Sequence, residues 1–152
     1  MYTLDFATAY RQFYLFDKGI EGATDAPKFW SKIALDSGLA LEKGVIGVGI
    51  AAYSRVRLTI EVLDNEPLTS NFDSWDRITE GSTKIKTGYL QILDCPNSEV
   101  QLEIALEKNA YRVRVYGANF RSVVGDNGDD FYRIELWKAP YQRRSVLKKY
   151  KP

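Results

Sequence analysis

The chain contains no histidine. That absence removes the commonest general base and the commonest transition-metal ligand together. Triads of the Ser-His-Asp or Cys-His type cannot be assembled, nor can most zinc sites. There is one cysteine, Cys95, so no intramolecular disulfide and no thiolate cluster can form. Cys95 precedes Pro96 with no basic neighbour in sequence and reads as an inert small residue. No apolar run approaches the ~20 residues of a membrane helix. The first residues lack the basic-then-apolar pattern of a leader. The expectation is a cytoplasmic protein without a membrane partner, without a cofactor and without catalytic activity.

What is present is ordinary for a soluble domain and rich in strand formers. Of 152 residues, 45% are hydrophobic, 27% charged and 13% aromatic, with ten tyrosines that suit pleated surfaces. Period-two alternation is clearest in Val100, Leu102, Ile104 and Leu106, in Tyr111, Val113 and Val115, and in Tyr132, Ile134 and Leu136. These predict strands over 99–107, 111–116 and 131–137, joined first by a tight turn at 108–110 into an antiparallel meander. Val56, Leu58, Ile60 and Val62 predict another half-buried strand. Further strands are predicted over 3–16 (long or bulged), 72–79, 82–86 and 88–93.

Residues 44–52 carry Gly44, Gly47 and Gly49 but neither a phosphate-loop ending nor a dinucleotide spacing. They read as a strand approached closely by another backbone or a bulky aromatic. One helix of about three turns is expected, capped by Thr24 or Asp25 and ended by Gly38, with Phe29, Trp30, Ile33 and Ala34 as its apolar stripe. The predicted fold is mainly β: an antiparallel sandwich of about eight strands with one short covering helix. Residues 1–140 form its single domain and 141–152 a basic tail. From Lys138 onward there are six basic residues and no acid, so the rest of the chain is net acidic.

The most unusual local feature is Gly125-Asp126-Asn127-Gly128-Asp129-Asp130. As plain structure it is a surface turn selected for its backbone. As chemistry, its carboxylates can mimic phosphates and enter the basic groove of a nuclease. A calcium site from Asp126, Asp129 and Asp130 is a further alternative, although the twelfth position counted from Asp126 is Trp137, not the glutamate of an EF-hand. Trp137, in phase with Arg133 and Glu135, is a candidate exposed anchor. Arg57, Arg112, Arg114 and Arg133 fall on the predicted wetted faces. With Glu103, Glu107 and Glu135 they describe cross-strand ion pairs rather than a nucleic-acid platform.

The run Leu4-Asp5-Phe6, Tyr10 to Asp17, Trp30, Ala34, Gly38-Leu39-Ala40 and Gly44-Val45-Ile46 resembles the competence protein J family, small bacterial inhibitors of the DNA-entry nuclease. Tyr111 to Tyr116, Asp130 to Ile134 and the ending Tyr132 to Pro140 continue the resemblance. It implies a β-sandwich that binds another protein, a nuclease or toxin. On this reading Asp126, Asn127, Asp129, Asp130 and Trp137 contact the partner. The alternatives are a small-ligand or carbohydrate-binding sandwich, an enzyme pairing Asp126 with Glu135, and an oligomerising module joined through an edge strand.

Overall fold

The computed structural model describes residues 1–22, 24–25, 27–68 and 71–152. In chain order the strands are β1 (Tyr2–Ala7), β2 (Gln12–Asp17), β3 (Leu39–Glu42), β4 (Val45–Gly49), β5 (Arg55–Leu63), β6 (Arg77–Ile85), β7 (Tyr89–Leu93), β8 (Val100–Ala105), β9 (Asn109–Ala118), β10 (Phe131–Lys138) and β11 (Ser145–Lys148). One helix, α1 (Lys32–Ser37), sits between β2 and β3. The six-stranded sheet has the order β1-β5-β10-β9-β6-β11 and the five-stranded sheet β3-β4-β2-β7-β8. Every strand pair is antiparallel except β5 with β10. The chain forms the predicted β-sandwich with its covering helix, built from eleven strands among the described residues.

The core follows from the alternation. Phe6, Val56, Leu58, Ile60, Val113, Val115, Ile134 and Leu136 face Phe13, Leu15, Ile46, Val48, Leu90, Ile92 and Ile104 from the opposite sheet. Each such side chain contributes about 1.5–3 kcal/mol on full burial. A second, smaller cluster forms where Phe29, Trp30 and Ala34 cover Tyr14, Ala40, Val45 and Leu93. Gly47 belongs to this cover: a Cβ there would lie 2.9 Å from atoms of both the Phe29 and Trp30 rings, the close aromatic approach expected of that strand.

The helix is shorter than the sequence pattern implies. Ser31, not Thr24 or Asp25, caps it, its Oγ accepting from Ala34 N at 3.2 Å. Gly38 ends it in the left-handed region at φ 71°, as expected.

Three expectations about connectivity need correction. The stretch 3–16 is two strands in different sheets. Tyr10 and Arg11, both at positive φ (61° and 60°), turn the chain between Ala9 and Gln12. Only the second half of the meander forms, the antiparallel pair β9–β10: β8 pairs with β7 in the five-stranded sheet, whereas β9 lies between β10 and β6. Alternation tells which face of a strand is buried, not which sheet it joins. The strands over 72–79 and 82–86 are a 3-10 turn (Phe72–Ser74) followed by one continuous β6. Within the basic C-terminal stretch, β11 pairs with Ile78–Glu80 of β6, and Arg144 donates to Ser37 Oγ at 2.8 Å and to Leu39 O.

Around Arg112, Arg114 and Tyr116 the outer face of the six-stranded sheet is covered rather than wet. Arg112 and Arg114 are buried, the latter 1% exposed. Glu80 accepts from Arg112 Nε at 3.0 Å and from Arg114 Nε at 2.5 Å. Tyr116 donates to Glu135, and Glu135 also meets Arg133, which reaches Glu61 at 3.1 Å. Residues of the β5–β6 connection lie over this layer: Phe72 meets Tyr116 edge to face, Trp75 meets it at a tilt, and Leu68 O accepts from Arg114. The predicted pairing of Glu103, Glu107 and Glu135 with arginines across strands is a further correction. Glu103 meets Lys18, Glu107 meets Lys138 and Glu135 meets Arg133 on its own strand, while the cross-strand partners of the arginines are Glu80 and Glu61.

Candidate functional site

Three connections meet at one end of the sandwich: the β1–β2 turn, the β4–β5 connection and the β9–β10 connection. Arg11 N donates to Tyr53 O at 3.1 Å, Ile50 N to Arg11 O at 2.9 Å, and Tyr53 N to Asp126 O at 2.9 Å. Arg11 Nη1 adds a bond to Ala51 O at 2.8 Å. Tyr10 and Tyr53 meet edge-on with ring centroids 5.8 Å apart, and Tyr10 remains 60% exposed. Two successive residues with side chains in the left-handed region cost roughly 1–2 kcal/mol each. Glycine or asparagine would relieve that cost, and the chain instead holds a tyrosine and an arginine there.

The β9–β10 connection is tied down despite its exposure. Asn119, at φ 66°, starts a 3-10 turn (Phe120–Ser122) and donates through Nδ2 to Asp129 O at 3.1 Å. Ser122 Oγ accepts from Asp129 N at 2.8 Å, and Arg57 Nη1 donates to Gly128 O at 3.0 Å. Val124 and Asn127 pair across the tip, leaving Val124 81% exposed.

The three aspartates of this loop have different fates. Asp126 is exposed and 3.8 Å from Arg11; Asp129 is exposed and 3.9 Å from Arg57. Asn127 is exposed between them. Asp130 is fully buried, a correction to its expected place in the partner surface. Its Oδ2 accepts from Ala52 N at 3.0 Å and from the Tyr132 hydroxyl at 2.7 Å, and that hydroxyl accepts from Ala51 N. Burial and the Asp130 carboxylate push the Tyr132 hydroxyl well above its ordinary range. Asp130 is a strut joining β10 to the β4–β5 connection. Its alternation with Tyr132 and Ile134 continues the inward phase of β10, which is the signal that distinguishes it from its neighbours.

Trp137 is a second correction. It is 3% exposed, with the Arg114 guanidinium 5.3 Å from its ring centre. Its polar phase is real, but the polar layer is covered, so it offers no anchor. Glu135 lies in that layer and Asp126 at the end turn, so the two do not form a catalytic pair. The calcium arrangement also fails. The three carboxylates turn to Arg11, Arg57 and Ala52, and no group of three or more metal-binding acidic or thiol side chains converges among the described residues.

Next to the loop, a groove of about 440 Å³ crosses the uncovered part of the outer face, lined among others by Asp5, Arg57, Phe131 and Arg133, with Trp75 as one wall. The Trp75 and Phe131 rings meet at 5.5 Å. Arg55 bonds Asp5 at 2.6 Å and holds its carboxyl below the usual carboxylate range. Arg57 links groove and loop. The end surface therefore combines apolar tips (Tyr10, Val124, Phe131) with arginine–aspartate pairs, the mixture that protein interfaces use around a few aromatic contacts.

No family model matches the chain, and no curated protein sequence matches it. Two solved structures do. The crystal structure of ComJ from Bacillus subtilis, described as the inhibitor of the DNA-degrading activity of NucA, superposes with a TM-score of 0.70 at 16% identity, covering 91% of this chain and 96% of that one. The chain shares the ComJ fold. The structure of the crocagin biosynthetic gene J product also matches, with a TM-score of 0.53 at 13% identity over 91% of this chain and 99% of that one. The resemblance read from the sequence thus extends to the whole architecture. No helix among the described residues is long and apolar enough to cross a membrane.

Proposed function

We propose that this chain is a non-catalytic binding protein that inhibits a nuclease stoichiometrically, engaging it through the end surface around Tyr10 and the 124–129 turn. The supporting observation is the convergence of three connections that hold exposed Tyr10, Val124, Asp126 and Asp129 on a hydrogen-bonded base. The ComJ likeness supplies the partner class, because ComJ is an inhibitor of NucA. In this reading Tyr10 and Val124 form the desolvated centre. Asp126 and Asp129 exchange their loose arginine contacts for the lysines and arginines that a nuclease presents to phosphate. A pre-tied loop loses little conformational freedom on binding, which favours affinity.

The test is titration of the chain into NucA while DNA hydrolysis is followed. Inhibition should saturate at one chain per nuclease. It should weaken at raised salt and be lost in a Tyr10→Ala/Val124→Asp variant that keeps its melting temperature. Absence of inhibition and of co-elution at micromolar concentrations would sink the reading.

A further inference from the structure

At the opposite end of the sandwich lies a cleft of about 560 Å³ whose lining includes Glu42, Lys43, Ser82, Lys84, Lys86 and Tyr141. Its position follows from the topology. β2 starts beside Arg11 and runs away from the Tyr10 end, and its Phe16 pairs with Val45 just beyond the Lys43-Gly44 turn. β11 covers only Ile78–Glu80 of β6, so Gly81–Ile85 have no strand on that side. The edges of both sheets face each other there, and the gap between them is the cleft.

Its chemistry is one-sided. Lys43 comes from the β3–β4 turn, Lys84 from β6 and Lys86 from the β6–β7 connection. Among the described residues none of the three has a carboxylate within ion-pair distance, although ten such pairs form elsewhere. Glu42 is the one acid in the lining. Asp17, buried nearby, spends its carboxylate on Lys86 N, Thr87 N and Thr87 Oγ1. Ser82 Oγ already accepts from Arg112 Nη1 at 3.0 Å and from Gln142 N at 3.1 Å. With both lone pairs engaged, its proton is all it has left to offer. Thr83, also in the lining, makes no side-chain hydrogen bond among the described residues. Donors from three segments therefore meet where acceptors are scarce. Ile20 and Leu41 give an apolar floor, and Tyr141, 59% exposed, an aromatic rim.

We infer that this cleft binds a small molecule carrying a polyphosphate group, of nucleotide size, with its charged end on Lys43, Lys84 and Lys86 and its uncharged part against Tyr141. Three separated ammoniums need more than one anionic group to satisfy them, and the volume is that of a small-ligand site. The inference is independent of the proposed inhibitor role, since the two surfaces occupy opposite ends.

Calorimetric titration of the full chain with sodium tripolyphosphate, ATP, AMP and citrate, without metal ions, tests it. One saturable site for tripolyphosphate and ATP is expected, weaker for AMP and citrate and weakened by salt. Charge-assisted bonds of the size found in proteins predict that Lys84→Gln/Lys86→Gln weakens ATP about tenfold or more, with the melting temperature unchanged. Glu42→Gln should tighten both polyphosphates, and Tyr141→Ala should weaken ATP but not tripolyphosphate. No saturation up to millimolar ligand, or affinity that the double lysine variant retains, overturns the proposal. Citrate matching tripolyphosphate would overturn the polyphosphate assignment. A single-stranded oligonucleotide displacing ATP from the same lysines with higher affinity would overturn the small-molecule assignment.

Discussion

The layer under the β5–β6 connection and the cleft beside β6 are both built from charged side chains, yet they answer their charges in opposite ways. In the layer, Glu80 meets Arg112 and Arg114, all nearly out of water, and buried Glu135 meets Tyr116 and, at the layer's margin, half-buried Arg133. In the cleft, three exposed lysines form no ion pair among the described residues, with Glu42 the one acid in the lining. The turn at 124–129 lies between these extremes, with Asp126 and Asp129 loosely matched at 3.8 and 3.9 Å. A charge that is matched and buried specifies the fold; a charge that is unmatched and exposed is free to recruit something else. The linear sequence reverses this order, because its conspicuous acidic run has one member buried and two loosely matched to arginines in space, while its unmatched lysines are scattered.

The comparison breaks most visibly if the layer is attacked. Arg114→Ala removes the partner of Glu80 Oε2, the donor to Leu68 O and the cation over Trp137. Loss of one member of a buried ion pair costs about 3–5 kcal/mol. That is a large share of the 5–15 kcal/mol by which domains are ordinarily stable. Urea denaturation should show a lower midpoint at unchanged slope, the shift multiplied by the slope giving a loss of that size. A cost below ~1 kcal/mol, the range of exposed pairs, would mean that the layer is wet.

The same layer has an alkaline signature. Burial and the Glu135 carboxylate push the Tyr116 hydroxyl up to about 12 from an ordinary 10.0. The folded chain then keeps a proton that the unfolded chain releases, so this group's contribution to stability is fully present below pH 10 and is lost as pH rises towards 12. The buried Tyr132 hydroxyl acts in the same direction. Denaturation midpoints on either side of pH 10 measure the slope. Tyr116→Phe should make it shallower; an unaltered slope would assign the effect elsewhere.

Much of this architecture is legible in the sequence because a strand states its inward face by alternation. Leu58 and Ile60, Val113 and Val115, and Ile134 and Leu136 are buried as that pattern requires. Gly38 is a left-handed helix end as its position implies. Tyr10-Arg11 gives no such signal, because neither residue favours the conformation it adopts; tertiary contacts with Ala51 and Tyr53 impose it. The covered outer face had a signal of another kind. Phe72 and Trp75 are two large aromatics in a connection that is otherwise mostly polar, and they are the side chains that lie against Tyr116. Lys43, Lys84 and Lys86 become neighbours only through the pairing of two sheets, and local patterning carries no trace of that.

The finest test of the comparison stays within one loop, where three aspartates look alike in sequence. Asp130→Ala leaves Ala52 N and the Tyr132 hydroxyl without their buried acceptor, at a cost of about 1–3 kcal/mol for each donor stranded away from water. Asp126→Asn with Asp129→Asn removes only exposed contacts near 4 Å, which are worth about 0–1 kcal/mol together with their screening by salt. The double variant should therefore melt like the parent while inhibiting the nuclease less well, and Asp130→Ala should melt early. A double variant that melts as early as Asp130→Ala would make Asp126 and Asp129 part of the scaffold. One that retains full inhibition would move the partner surface onto Tyr10, Val124 and the Trp75–Phe131 groove.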